Sequence, residues 1–77
     1  MNYVVAVFKS RSEAMSFYAF LSRNQVPCRI VPTPKEAGRT CGLSVKFMHS
    51  DFSKVKSLFA SVRFVSFQGF YLISDNR

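Results

Sequence analysis

The thiol, imidazole and carboxylate groups of this chain are few: Cys28 and Cys41, His49, and Glu13, Glu36, Asp51 and Asp75. Of these, Cys41 is the one placed for reactivity. It lies in PTPKEAGRTCG, residues 32–42, directly before Gly42 and close in sequence to Lys35 and Arg39. The nucleophilic form of cysteine is the thiolate, and neighbouring cations favour it over the thiol. Gly42 brings no side chain to block approach to the sulfur. The pattern points to a nucleophilic or sulfur-transferring thiol. Cys28 alternates with Ile30 in an apolar segment and reads as a small buried hydrophobe. A Cys28–Cys41 disulfide across a hairpin is compatible with the sequence, which does not fix the Cα separation such a bond requires.

Other chemistries find little support. His49 stands alone just before an amphipathic segment, the place of a solvated residue near a helix start. Two cysteines and one histidine without a CxxC pair lack the spacing of a zinc site, so no metal is expected. The acids are explained by helix starts and the polar tail, not by a catalytic carboxylate pair. No glycine pattern of a nucleotide-binding loop is present, and no cofactor is expected.

The elements that must position Cys41 can be read from periodicity. YVVAVF (residues 3–8) is β-branched and aromatic, apolar on both sides as a central strand would be. SRSE follows, with Ser10 as N-cap and Glu13 three residues on, a capping box. Ala14, Phe17, Tyr18 and Leu21 then form one helical stripe, and Asn24 is expected to end the helix in a left-handed turn. PCRIV (27–31) is a short strand. GLSVKF (42–47) alternates, with Leu43, Val45 and Phe47 facing one way and Ser44 and Lys46 the other. HSDFSKVKSLFASV is a second helix capped by Ser50 or Asp51, with Val55, Leu58, Phe59 and Val62 as its stripe. FVSFQGFYLI (64–73) reads as a last strand in which Gly69 signals a bulge. Inside the cysteine segment, Thr33-Pro34-Lys35-Glu36 has the form of a capping box with proline at the first helical position, and Gly38 closes the turn. The segment is therefore expected to be a shaped one-turn presenter of Cys41.

The order is β-α-β-β-α-β in a single domain spanning residues 1–77. It predicts an α+β ferredoxin-like sandwich: a four-stranded antiparallel sheet with two helices on one face. Its other face is then expected to be uncovered and apolar. Strand 1 is apolar on both sides (Tyr3, Val5 and Val7 against Val4, Ala6 and Phe8), and strand 4 offers Phe67, Tyr71 and Ile73 as well as Phe70 and Leu72. Such a patch predicts association, as a homodimer through the sheet or with a docked partner.

Composition narrows the setting. Nine phenylalanines and 48% hydrophobic residues make a folded chain, not a disordered one. No apolar run approaches a membrane span, and the first residues lack a secretory signal, so a cytoplasmic protein with reduced thiols is expected. The formal charge of +7 attracts anions, but the basic residues are scattered. RNA binding is the main rival function, since RNA-recognition motifs share this element order. Against it, the third strand lacks an aromatic pair and Tyr3 and Phe8 fall on opposite faces. An ACT-like regulatory or interaction module also uses this fold.

VVAVFKSRSEAM, VPCRIVPTPKEAGRTCGLSVKF and VKSLF together resemble the small family of Se/S carrier-like proteins, over about residues 2–73. The most specific part is the proline-containing loop followed by Cys-Gly and an apolar strand, here Pro32, Pro34, Cys41 and Gly42. The resemblance implies that Cys41 carries sulfur or selenium as a persulfide or selenosulfide, with Gly42, Lys35 and Arg39 beside it. It implies a carrier or accessory protein rather than a stand-alone enzyme, partnered by sulfur or selenium donor and acceptor proteins.

Overall fold

The computed structural model of the chain describes residues 2–34 and 42–74. Its elements are β1 (Asn2–Phe8), α1 (Arg11–Arg23), β2 (Cys28–Pro32), β3 (Leu43–Met48), a 3-10 turn (His49–Asp51), α2 (Phe52–Phe59) and β4 (Phe67–Ser74). The four strands form one sheet in the order β2-β3-β1-β4, and every neighbouring pair is antiparallel. This is the α+β architecture expected, a four-stranded antiparallel sheet with two helices.

Strand alternation divides the sheet into two faces. Val4, Ala6 and Phe8 of β1 share one buried cluster with Ala14, Phe17 and Leu21 of α1, Val45 and Phe47 of β3 and Val55 of α2. Both helices therefore cover the same side. All nine phenylalanines belong to a single network of ring contacts on that side, from Phe20 through Phe17, Phe8 and Phe59 to Phe70, Phe47 and Phe52. Aromatic rings bury large areas and gain from tilted and edge-to-face contacts, so the core of this small domain is built mainly from them.

The outer face differs from the expectation in two ways. First, Phe67 does not share a face with Tyr71 and Ile73 as alternation alone suggests. The β1–β4 register shifts between Val7 and Phe8, and Gly69 there has φ +134°, a left-handed conformation that favours glycine. The bulge turns Phe67 inward, where its ring lies 4.5 Å from that of Phe59. Second, the outer aliphatics are not open. Val5 and Val7 are both 0% exposed and pack with Ile73, Tyr3, Val31 and Tyr71. Of the exposed large apolar residues, Met48 is the one on this face, so the patch is much smaller than strand periodicity suggests.

Helix ends also show local corrections. Ser10 caps α1, its side-chain oxygen accepting from the Glu13 N–H at 3.2 Å. The return arm of the box is rerouted. The Ser10 N–H donates to Ser66 Oγ at 3.1 Å, and the Glu13 carboxylate accepts from the Val65 and Ser66 N–H groups at 3.0 and 2.7 Å. At the other end Asn24 is the C-cap, but with φ −96° it is not left-handed. Gln25, at φ 64°, takes that role. The Val26 N–H donates to the Leu21 carbonyl and the Gln25 N–H to that of Ser22, a Schellman closure whose apolar ends, Leu21 and Val26, are both buried. For α2, Asp51 is the N-cap but no side chain makes a capping hydrogen bond, and a 3-10 turn leads in instead. The stretch FVS that precedes Phe67 belongs to the connection, not to β4.

Candidate functional site

The cysteine-bearing segment leaves β2 at Pro32 and rejoins the sheet at Leu43, and these two residues are register partners. Its two ends are therefore closed against each other at a neck, and the neck is held by a hydroxyl pair. Thr33 Oγ1 donates to the Gly42 carbonyl at 2.7 Å. That commits its single proton, so the contact with Ser44 Oγ at 2.9 Å has Ser44 as donor. Ser44 is fully buried, although strand alternation alone places it on the solvent side. It is buried with its hydroxyl paired, as a polar group in such a place must be.

Gly42 completes the neck. An ideal Cβ built on it would lie 1.9 Å from the Phe8 carbonyl oxygen and 3.0 Å from Lys9 Cα. No side chain fits there. The requirement is one of space, since Gly69 is the glycine with positive φ among the described residues. This close approach gives Gly42 a packing reason of its own, in addition to the access role expected from the sequence. It also fixes the residue following Cys41 against the end of β1. At the same end of the sheet the Lys9 N–H donates to the Ser66 carbonyl at 3.1 Å, and Glu13 ties Ser66 to α1. The start of α1, the end of β1 and the approach to β4 are thus locked around the neck.

Cys41, Lys35 and Arg39 lie outside the described residues, as do Glu36 and Gly38 of the expected one-turn helix. Pro34 and Thr33 are described, and the Thr33 hydroxyl is engaged across the neck. The sequence marked Thr33 only as the start of a capping box, not as a partner across the neck, and did not mark Ser44 as part of the site. A buried serine paired to a threonine eleven residues away leaves no periodic trace.

Cys28 is a free thiol with a structural environment. Its Sγ donates to the Tyr18 carbonyl at 3.7 Å and accepts from the Ser22 hydroxyl at 3.7 Å. Burial pushes its pKa up, the Ser22 bond only partly offsetting this. A raised pKa means less thiolate and a slower nucleophile. Cys28 is the register partner of Phe47, five residues along β3 from Gly42, or about 17 Å of strand. A disulfide tolerates Cα separations of only about 7 Å, and this span far exceeds that. His49 is exposed, with its ring 6.3 Å from that of Phe52. Among the described residues no group of three or more His, Cys, Asp or Glu side chains gathers to hold a metal. Among the described residues no helix is long and apolar enough to cross a membrane.

Comparison with known proteins gives one result. The family model described as "Putative Se/S carrier protein-like" matches residues 3–71, nearly the whole chain, and includes the segment with Cys41 and Gly42. No curated protein and no solved structure matches. The chain belongs to this Se/S carrier-like family.

Proposed function

We propose that this family member carries a sulfur or selenium atom on Cys41, passing it between a donor and an acceptor protein. The observation that carries the proposal is the family match across residues 3–71, which spans the Cys-Gly motif. The state of Cys28 supports it, because a thiol with a raised pKa, hydrogen-bonded to α1, leaves Cys41 as the candidate carrier. The clamped neck supports it too: Thr33, Gly42 and Ser44 fix the base of the segment without using the thiol.

In the transfer step the Cys41 thiolate attacks the terminal sulfur of a donor persulfide. A new S–S bond forms to Cys41 and the donor's S–S bond breaks, its electron pair leaving on the donor cysteine as thiolate. The proton stays on the transferred sulfur. Nothing is oxidised or reduced overall, and a selenium atom would follow the same balance. Lys35 and Arg39 would favour the attacking thiolate, and Gly42 would leave the sulfur accessible. Such a protein is a carrier, not a stand-alone enzyme, and its thiol needs the reducing conditions of the cytoplasm.

The fold reading that accompanies this is the ferredoxin-like sandwich. Its support is the β2-β3-β1-β4 order with both helices on one side. A homodimer through the outer sheet face rests on a smaller apolar patch than expected, since Val5 and Val7 are already covered. The rival reading is an RNA-binding protein or an ACT-like regulatory or interaction module without catalytic chemistry.

One experiment separates the readings. The protein is incubated with a cysteine desulfurase and cysteine, and its intact mass is followed alongside alkylation of both thiols at neutral pH. The carrier reading expects a gain of one sulfur that is lost in Cys41→Ser and retained in Cys28→Ser, with Cys41 alkylated much faster. Equal, slow labelling and no added mass would sink it.

A further inference from the structure

The outer sheet face carries a second constellation, its rows about 14 and 20 Å of strand from Gly42 toward the opposite end of β3. Register places Arg29, Lys46, Val5 and Tyr71 in one row across all four strands. Met48, Tyr3 and Ile73 form the adjacent row. Two cations therefore stand side by side on neighbouring strands, about 5 Å apart at Cα, with two tyrosines on the same face. The Lys46 ammonium is held 4.2 Å from the centre of the Tyr3 ring. Beside them opens a shallow cavity of about 260 Å³ lined by Pro27, Cys28, Arg29, Lys46, Phe47 and Met48.

Among the described residues this arrangement has no counter-charge. None of the four strands contains an aspartate or glutamate, and among the described residues neither Arg29 nor Lys46 makes an ion pair. Like charges on directly opposed strand positions are destabilising, so a fold that keeps them there gains nothing from the pair itself. Arg29 is exposed, and Met48 is 41% exposed beside it. The nine phenylalanines are all committed to the other face, so the tyrosines are the aromatic residues this surface presents.

We propose that this face binds single-stranded nucleic acid, with phosphates on Arg29 and Lys46 and unpaired bases against Tyr3, Tyr71 and Met48. Phosphodiester groups supply anions for both cations, and their neutralisation releases counterions. Bases stack on aromatic rings with little regard to sequence, which suits a surface of two tyrosines and a thioether. A four-stranded sheet presenting aromatics is a known way to hold unpaired bases. An acidic peptide would satisfy the cations but has no planar groups for the tyrosines, so nucleic acid fits better. The objection that Tyr3 and Phe8 lie on opposite faces falls away, because Tyr71 is the second ring.

The test is fluorescence anisotropy with labelled ten-nucleotide oligo(U) RNA and oligo(dT) DNA, each measured across a salt series. The protein should bind one or both with micromolar affinity, and the tighter of the two identifies the sugar preferred. Arg29→Gln with Lys46→Gln should lower the slope of log affinity against log salt by about 1.4. Tyr3→Leu and Tyr71→Leu, each checked for folding by circular dichroism, should weaken binding by about five-fold or more. Lys54→Gln with Lys56→Gln on α2, which removes the same charge elsewhere, should leave affinity close to wild type. No binding at 100-fold higher concentration, equal binding to duplex, equal competition by a poly-glutamate peptide, or equal loss in the α2 variant would each overturn the proposal. Cys41→Ser should leave this binding unchanged, so failure here and failure of the carrier reading are told apart.

Discussion

The carbonyl oxygen of Phe8 occupies the place where residue 42 would carry a Cβ: an ideal Cβ there would sit 1.9 Å away. The last residue of β1 thereby dictates a glycine directly after Cys41. Gly42→Ala should cost about 1–3 kcal/mol, the range for forcing a methyl into filled space. In a domain of this size the melting temperature should fall by roughly 5–20 °C. The clash is with backbone, so no side-chain rotation can relieve it. An unchanged melting curve would mean that the neck is not packed in this way.

The Thr33–Ser44 pair gives a second expectation. Thr33→Val removes the partner of a buried hydroxyl and should cost about 1–3 kcal/mol. Adding Ser44→Ala should cost less than the sum of the two single changes, because the hydroxyl left unsatisfied is then gone. A double-mutant cycle by urea denaturation measures the coupling, expected at about 0.5 kcal/mol or more.

Glu13 should make stability fall in acid. Hydrogen bonds from the Ser66 hydroxyl and N–H, with a smaller contribution from Val65, hold its carboxyl below the usual 4.5, against some opposing desolvation. A carboxylate with a lowered folded pKa contributes stability that is fully present above the unfolded value and lost as pH falls through the folded one. The loss should therefore begin just below pH 4.5. Glu13→Gln should melt lower than wild type at pH 7 and show a shallower decline between pH 5 and pH 3. Parallel pH curves for the two proteins would contradict this.

Gln25 holds the left-handed position after α1 with a φ of 64°. A side chain there costs roughly 1 kcal/mol that glycine avoids. Gln25→Gly should thus stabilise the protein by about 0.5–1 kcal/mol, seen as a rise in melting temperature. A similar change at Asn24 should not, since its amide bonds the Phe20 carbonyl at 2.8 Å.

Much of the architecture was legible in the sequence because its periods are strong. The apolar run of β1, the stripe of Ala14, Phe17 and Leu21 and the alternation of β3 each report a local geometry that repeats every few residues. Ser10 and Glu13 announced the start of α1, and Gly69 announced a bulge, since each effect is confined to one turn or one strand pair. Cys41-Gly42 stood out as a motif, whereas Cys28, expected to be a small buried hydrophobe, is only half-buried, with burial raising its pKa.

What tertiary structure alone decided are relations between residues far apart in the chain. Strand alternation grouped Phe67 with Tyr71 and Ile73, but the bulge at Gly69 shifts parity and sends Phe67 into the core. It put Ser44 toward solvent, yet the hydroxyl of Thr33 across the neck lets it be buried. Residue type assigned the left-handed position after α1 to Asn24, but Gln25 takes it, and the next residue, Val26, is buried against the core. Arg29, Lys46, Tyr3 and Tyr71 are scattered over 69 positions and become one surface only through the register of four strands. Local propensity acts over a turn or a pleat, whereas register, closure and the sharing of space are set only when distant segments meet.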